Sequence, residues 1–196
     1  MRATGSSTYP TEFDVLNYPH PVLRGRAEPV TEFDDELRRF CERMFSCMDE
    51  HHGVGLAAPQ VGVSKRIFIT DHARKQGDQF SDRRIWINPR LENGAGETVY
   101  EEGCLSFPGI YAKVQRYNRV DVVYQDVFGF EQRMTFDVAA GDFLGIVTQH
   151  ELDHLDGKVF VDHLTPAQLT LVRRALRELE DDYKHATGKA GAILRR

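Results

Sequence analysis

The amino-acid sequence predicts an α+β fold: small antiparallel or mixed β-sheets wrapped around a central helix, with one helix before them and another after. Three patterns carry that prediction. Apolar residues recur with a helical period near each end of the chain, short β-branched and aromatic runs fill its middle, and a mostly apolar helix bearing His-Glu-x-x-His follows those runs. The 196 residues suit one domain, expected over residues 13–185, between a flexible lead at 1–12 and a flexible basic tail at 186–196.

Composition narrows the function classes. A net charge of −5 argues against general affinity for nucleic acid or an anionic membrane, which rests on a basic surface. Cys41, Cys47 and Cys104 are too few and too oddly counted for a disulfide framework, which points to a reducing compartment. No signal-peptide core opens the chain, and no apolar run approaches the roughly 20 residues that cross a bilayer.

Taken in order, Tyr18-Pro19-His20-Pro21 predicts an extended turn, because each proline pushes its predecessor out of the helical region. A helix is expected from about Asp34 to His51, capped by Thr31 or Asp34. Leu37, Phe40, Cys41, Met44, Phe45 and Met48 trace its buried stripe, with Cys41 and Cys47 as small core fillers. His51 and His52 then suit a helix C-terminus that favours positive charge. Gly53 to Gln60 reads as a helix stop and a tight strand entry.

Strands are expected at Arg66–Thr70, at Ile85-Trp86-Ile87 stopped by Asn88-Pro89, at Arg119–Tyr124 and at Phe130–Phe136, the last two joined by an Asp126–Gly129 turn. Asp71 to Arg84 is charged and aperiodic, as a surface loop is. A buried helix follows from about Asp142 to Leu155, ended by Gly157. Thr165-Pro166 opens the last helix, whose stripe is Leu169, Val172, Leu176, Leu179 and Tyr183.

The chemistry centres on Gln149-His150-Glu151-Leu152-Asp153-His154. On a helix His150 and His154 leave the same face and can share a metal ion, while Glu151 stands beside them and can move a proton without being a ligand. The third ligand decides the reaction class. A third His six residues after His154 would mark one class of zinc protease, but Phe160 stands there. Glu178 and Glu180 on the last helix fit a second protease pattern loosely, and Cys104, beside Gly103 in Glu101–Ser106, is the remaining candidate. A closed structural zinc site would instead add His163 or Asp153 to Cys104, His150 and His154.

Gly53–Gln60, Glu102–Ser106 and Gln149–His154 resemble, in order and approximate separation, the three signature motifs of the peptide deformylase family. Tyr18–Arg24 is similar to the family's N-terminal turn, Ile87-Asn88-Pro89 to its strand before the cysteine motif, and Ser106–Tyr111 to the form found in the type 1B-like branch of bacteria and organelles. The resemblance covers about residues 13–165 and implies a metal-dependent hydrolase that removes the formyl group from formyl-methionine of newly made polypeptides. It implies Cys104, His150 and His154 as metal ligands, with Fe²⁺ in the cell and Zn²⁺ or Ni²⁺ in purified protein. Glu151 would be the acid–base group, with Gln60 and the Leu105 N–H holding the oxyanion. Val54, Gly55, Tyr100, Glu102, Gly103, Phe143, Ile146 and Val147 would bind the substrate. The partners implied are N-formylmethionyl nascent peptides and, transiently, the ribosome. A monomer in the bacterial cytoplasm is expected, with an organelle as the other compartment.

Overall fold

The apolar stripe after Asp34 becomes α1, Asp35–Glu50, in a computed structural model that describes residues 8–72, 82–192 and 194. Asp34 is the cap: its carboxylate accepts the Leu37 N–H at 2.8 Å, a contact that stabilises by about 1 kcal/mol. Asp35 and Glu36 in the first turn face the positive end of the helix dipole. Leu37, Phe40, Cys41, Met44, Phe45 and Met48 are all buried.

The strands are β1 (Gly55–Ala57), β2 (Ile67–Asp71), β3 (Arg83–Ala95), β4 (Thr98–Cys104), β5 (Phe107–Arg116), β6 (Arg119–Gln125) and β7 (Glu131–Asp137). Five make one sheet in the order β1-β2-β3-β6-β7, and β4 pairs with β5 alone. Among the described residues every ladder is antiparallel, so the mixed alternative falls away; parallel pairing there is limited to an isolated bridge between Glu28 and Lys65. Trp86 fixes the sheet's centre: it is fully buried, stacks on Phe68 at 5.4 Å, and donates its indole N–H to Thr70 Oγ1 at 3.0 Å. The Asp126–Gly129 turn joins β6 to β7 as expected, with Asp126 Oδ1 accepting the Phe128 and Phe130 N–H groups.

Several sequence expectations need correction. β3 does not stop at Asn88-Pro89 but runs thirteen residues, because the register against β6 shifts between Ile87 and Arg90 and takes the proline out of the ladder. Asn88, at φ 50°, compensates with side-chain bonds to both backbone groups of Val30 and to Gln125. The loop expected over Asp71–Arg84 loses its ends to β2 and β3, where Asp71 pairs with Arg83; its residues 73–81 lie outside the described residues. The β4–β5 hairpin was not foreseen, since its inward face carries Glu102 and Arg116, its outward Val99 and Tyr111 are exposed, and Pro108-Gly109 interrupts its pattern.

The second helix, α2 (Leu144–Leu155), starts two residues later than expected, and all twelve of its residues are buried. It packs on β1, β2, β3, β6 and β7. α3 (Pro166–Thr187) opens with a reciprocal cap between Thr165 and Gln168 and lays Leu169, Val172, Leu176 and Leu179 against the apolar side of β5. The described parts of both the lead and the tail make contacts with the domain. Tyr9, placed by the sequence in a flexible lead, is buried and stacks on Phe40 at 4.6 Å, burying aromatic surface that a free lead would leave in water. In the tail, Ala192 N–H donates to Pro19 O at 2.9 Å. Residues 1–7 of the lead, and 193, 195 and 196 of the tail, lie outside the described residues. Among the described residues no helix is long and apolar enough to cross a membrane.

Candidate active site

α2 carries His150 and His154 on one face, with ring centroids 5.1 Å apart. β4 brings Cys104 to them from nearly fifty residues earlier. Its register against β5 shifts between Gly103 and Cys104, so the chain turns there and leaves the sulfur 3.3 Å from His154 Nε2. The ligand atoms of Cys104, His150 and His154 all lie within 4.8 Å of one another. Burial drives His154 down to about 3, with His150 adding to the effect, so its ring is neutral and offers a lone pair.

His150 is held from behind. Its Nδ1 lies 2.8 Å from Glu102 Oε2, and Glu102 accepts two further bonds from Arg116, at 2.7 Å from Nε and 2.8 Å from Nη2. Burial alone would raise the Glu102 carboxyl, but Arg116 and His150 outweigh it and bring it down to about 2. A carboxylate there keeps the ring proton on Nδ1 and turns Nε2 toward the sulfur and the second imidazole. Burial opposes charge on His150, yet Cys104 and Glu102 raise it well above the ordinary value. Those groups around the ring are what a divalent cation answers.

Glu151 is the buried carboxyl beside this set. Burial first, then the charge of Glu102, lifts it to about 7, while His150 and Arg116 pull the other way. Its Oε2 has no hydrogen-bond partner among the described residues, an orphaned acceptor of the kind a reacting water satisfies. Gly55 makes room for it, since a Cβ there would collide with Glu151 Oε1. Gln60, in a 3₁₀ turn after β1, is fixed by the Ala57 N–H at 2.8 Å and turns its Nε2 to Cys104 Sγ at 3.5 Å and Ser106 Oγ at 3.2 Å.

A cleft of about 1140 Å³ opens over these groups. Val54, Gly55, Gln60, Tyr100, Glu102, Gly103, Cys104, Leu105, Phe143, Ile146, Val147, His150 and Glu151 all line it, and His154 lies beneath, at 1 % exposure. Glu102 differs from the expected pocket residue in that both its oxygens are taken by Arg116 and His150. The sequence reading also missed Arg116 and gave Asp153 and His163 another role: Arg116 Nη1 donates to Asp153 Oδ2 at 2.5 Å, and His163 Nε2 meets the same oxygen at 2.7 Å. The missed signal was an arginine in phase with inward-facing Ile110, Ala112 and Val114 on β5. These bonds engage Asp153 and His163 with each other, away from the Cys104 set. Glu178 pairs with Arg174 and Glu180 accepts the Tyr18 hydroxyl, so neither completes a protease site.

One thiol and two imidazoles form a donor set for a single borderline divalent ion, with a coordination position left for water, and the unpartnered Glu151 oxygen fits a hydrolytic use. Fold and site together define a metal-dependent hydrolase. The family model for polypeptide deformylases matches residues 13–169. The peptide deformylase of Wolinella succinogenes is 40% identical over 167 residues, 85% of this chain and 93% of that one. The chloroplastic peptide deformylase 1B of Oryza sativa subsp. japonica is 39% identical over 175 residues, 89% of this chain and 63% of that one. A plant peptide deformylase of the 1B type superposes with a TM-score of 0.87 at 31% identity, covering 95% and 98% of the two chains. The chain belongs to the peptide deformylase family, whose members are metalloenzymes that remove the formyl group from polypeptide N-termini.

Proposed function

We propose that Cys104, His150 and His154 hold one divalent metal ion, and that the enzyme cleaves the formyl group from formyl-methionine on nascent polypeptides. The observation that carries this reading is the gathering of that ligand set within 4.8 Å at the floor of a cleft that also holds Glu151 and Gln60. The ion, when bound, supplies Lewis acidity to the attacking water and to the formyl carbonyl. Glu151 takes the water's proton at its unpartnered Oε2 and returns it to the leaving amine. Gln60 Nε2 and the Leu105 N–H donate to the oxygen that becomes charged, each worth about 3 kcal/mol in the transition state. Val54, Tyr100, Phe143, Ile146 and Val147 form the apolar wall for an unbranched thioether side chain. Gly55 and the backbone of Gly103 to Phe107 offer strand edges on which the peptide pairs through its main chain.

Fe²⁺ is the proposed ion in the cell, with Zn²⁺ or Ni²⁺ filling the same thiolate and imidazole set in purified protein. α2 then serves as the central metal-binding helix of a catalytic unit over residues 13–185. The proposed setting is a monomer in bacterial cytoplasm that meets its substrates as they leave the ribosome. The test is formate release from formyl-Met-Ala-Ser by iron-loaded protein kept free of oxygen. Cys104→Ala should remove the ion held by His150 and His154 and abolish formate release together. Cleavage of unformylated peptides without formate would instead favour the protease reading.

A further inference from the structure

At the end of α1, where His51 also lines the catalytic cleft, a second group of metal-ligating side chains meets. Cys47 stands in the last turn, His51 follows one turn later on the same face, and Asp14 reaches them from the segment that crosses the helix end. The ligand atoms of all three lie within 4.8 Å of one another. Val15 N–H holds Asp14 Oδ1 at 2.7 Å.

The imidazole is caught between two acceptors. His51 Nδ1 is 2.9 Å from the Cys47 carbonyl oxygen, and Nε2 is 3.0 Å from Asp14 Oδ1. A carbonyl can only accept, so the ring hydrogen of a neutral His51 sits on Nδ1, and its Nε2 lone pair then points at a carboxylate. Either a second proton or a cation resolves that opposition. The thiol separates the two cases. Cys47 is 6 % exposed and its sulfur makes no hydrogen bond among the described residues, although it lies beside the carboxylate and the ring. A proton would answer the ring and the carboxylate alone and leave the thiol as core filler, whereas one cation takes all three atoms.

We propose that Asp14, Cys47 and His51 form a second cation site, separate from the catalytic centre, for a borderline divalent ion of the zinc class with water completing a tetrahedron. Its position gives occupancy a consequence. Two and four residues beyond Asp14, the N–H groups of Leu16 and Tyr18 donate to Gln60 O and Ser106 O, each at 2.8 Å. An ion at Asp14 would pin this segment to α1 and steady the chain that backs the cleft.

Equilibrium dialysis of the cobalt-substituted protein against Co²⁺ tests this. Two ions per chain are expected, the second adding a sulfur-to-cobalt absorption, with Cys47→Ser and Asp14→Asn each returning the count to one. Asp14→Asn, on an exposed side chain, keeps the test usable if Cys47→Ser in the core fails to fold, and with one ion per chain its formate release should match that of the unaltered protein loaded with one ion. A count of one in the unaltered protein would mean an imidazolium pair only and would overturn the proposal. So would a second ion that persists in Asp14→Asn or that adds no sulfur absorption.

Discussion

Glu151 illustrates how position rather than residue type sets chemistry. Burial and the Glu102 charge lift its carboxyl to about 7, which makes it neutral below that value and ionised above it. As the proposed base it would work ionised, so turnover should fall as pH falls through its pKa; a bound divalent cation favours the anion and moves that acid limb below 7. Glu151→Gln keeps the shape, and should lower formate release roughly 10²–10⁴-fold and erase the acid limb at unchanged metal content. Near wild-type turnover with metal bound would remove Glu151 from the mechanism. Glu102 acts one step back, by holding His150 Nδ1 at 2.8 Å. Glu102→Gln leaves Arg116 and His150 without their carboxylate, and should weaken metal binding roughly 10–100-fold in competition against a chelator. An unchanged affinity would mean that packing alone orients the ring.

At the level of elements, α2 depends on how it stops. Gly157 sits at φ 70°, and a Cβ there would lie 2.6 Å from the Arg24 carbonyl oxygen, which is backbone and cannot swing aside. Gly157→Ala should therefore cost about 1–3 kcal/mol from the left-handed conformation alone, and more from the clash. Calorimetry should show a melting temperature lower by roughly 2–4 °C for each kcal/mol lost; no change would mean the chain relaxes freely at this corner. This stop was legible, because glycine after an apolar helix has one common cause. α1, α2 and α3 were legible in the same way, from stripes and caps that are local. The β4–β5 hairpin was not, since its two faces break the usual code: Val99 and Tyr111 are exposed at the cleft mouth, while Glu102 and Arg116 face inward as a pair. Cys104, His150, Glu151 and Gln60 could be read from motif spacing and family resemblance. The groups that hold them could not, because Arg116, Asp153 and His163 meet only through the fold.

Across the whole molecule, that meeting makes one buried charge system of four separate pieces. Glu102 on β4, Arg116 on β5, Asp153 on α2 and His163 in the turn after it are joined by bonds of 2.5–2.8 Å. Burial would raise both carboxyls, yet Arg116 and His150 bring Glu102 down to about 2, and His163 and Arg116 hold Asp153 well below the usual carboxylate range. Groups depressed in this way contribute stability that is complete above their unfolded values, near 4, and that is lost as pH falls through their folded ones. Arg116 is the shared partner, so Arg116→Met should leave two buried carboxylates without their guanidinium and cost about 3–5 kcal/mol at neutral pH. Acid should then act differently on the two proteins. In Arg116→Met the carboxyls can take protons at higher pH and shed their unpaired charge, whereas in the unaltered protein acid removes a favourable pairing. The gap in melting temperature should therefore narrow steadily from about pH 7 to about pH 4, with metal content measured at each step so that ion loss is counted separately. A gap that stayed constant over that range would show that Arg116 contributes by filling space beneath the hairpin, and that the charge system does not hold the four pieces together.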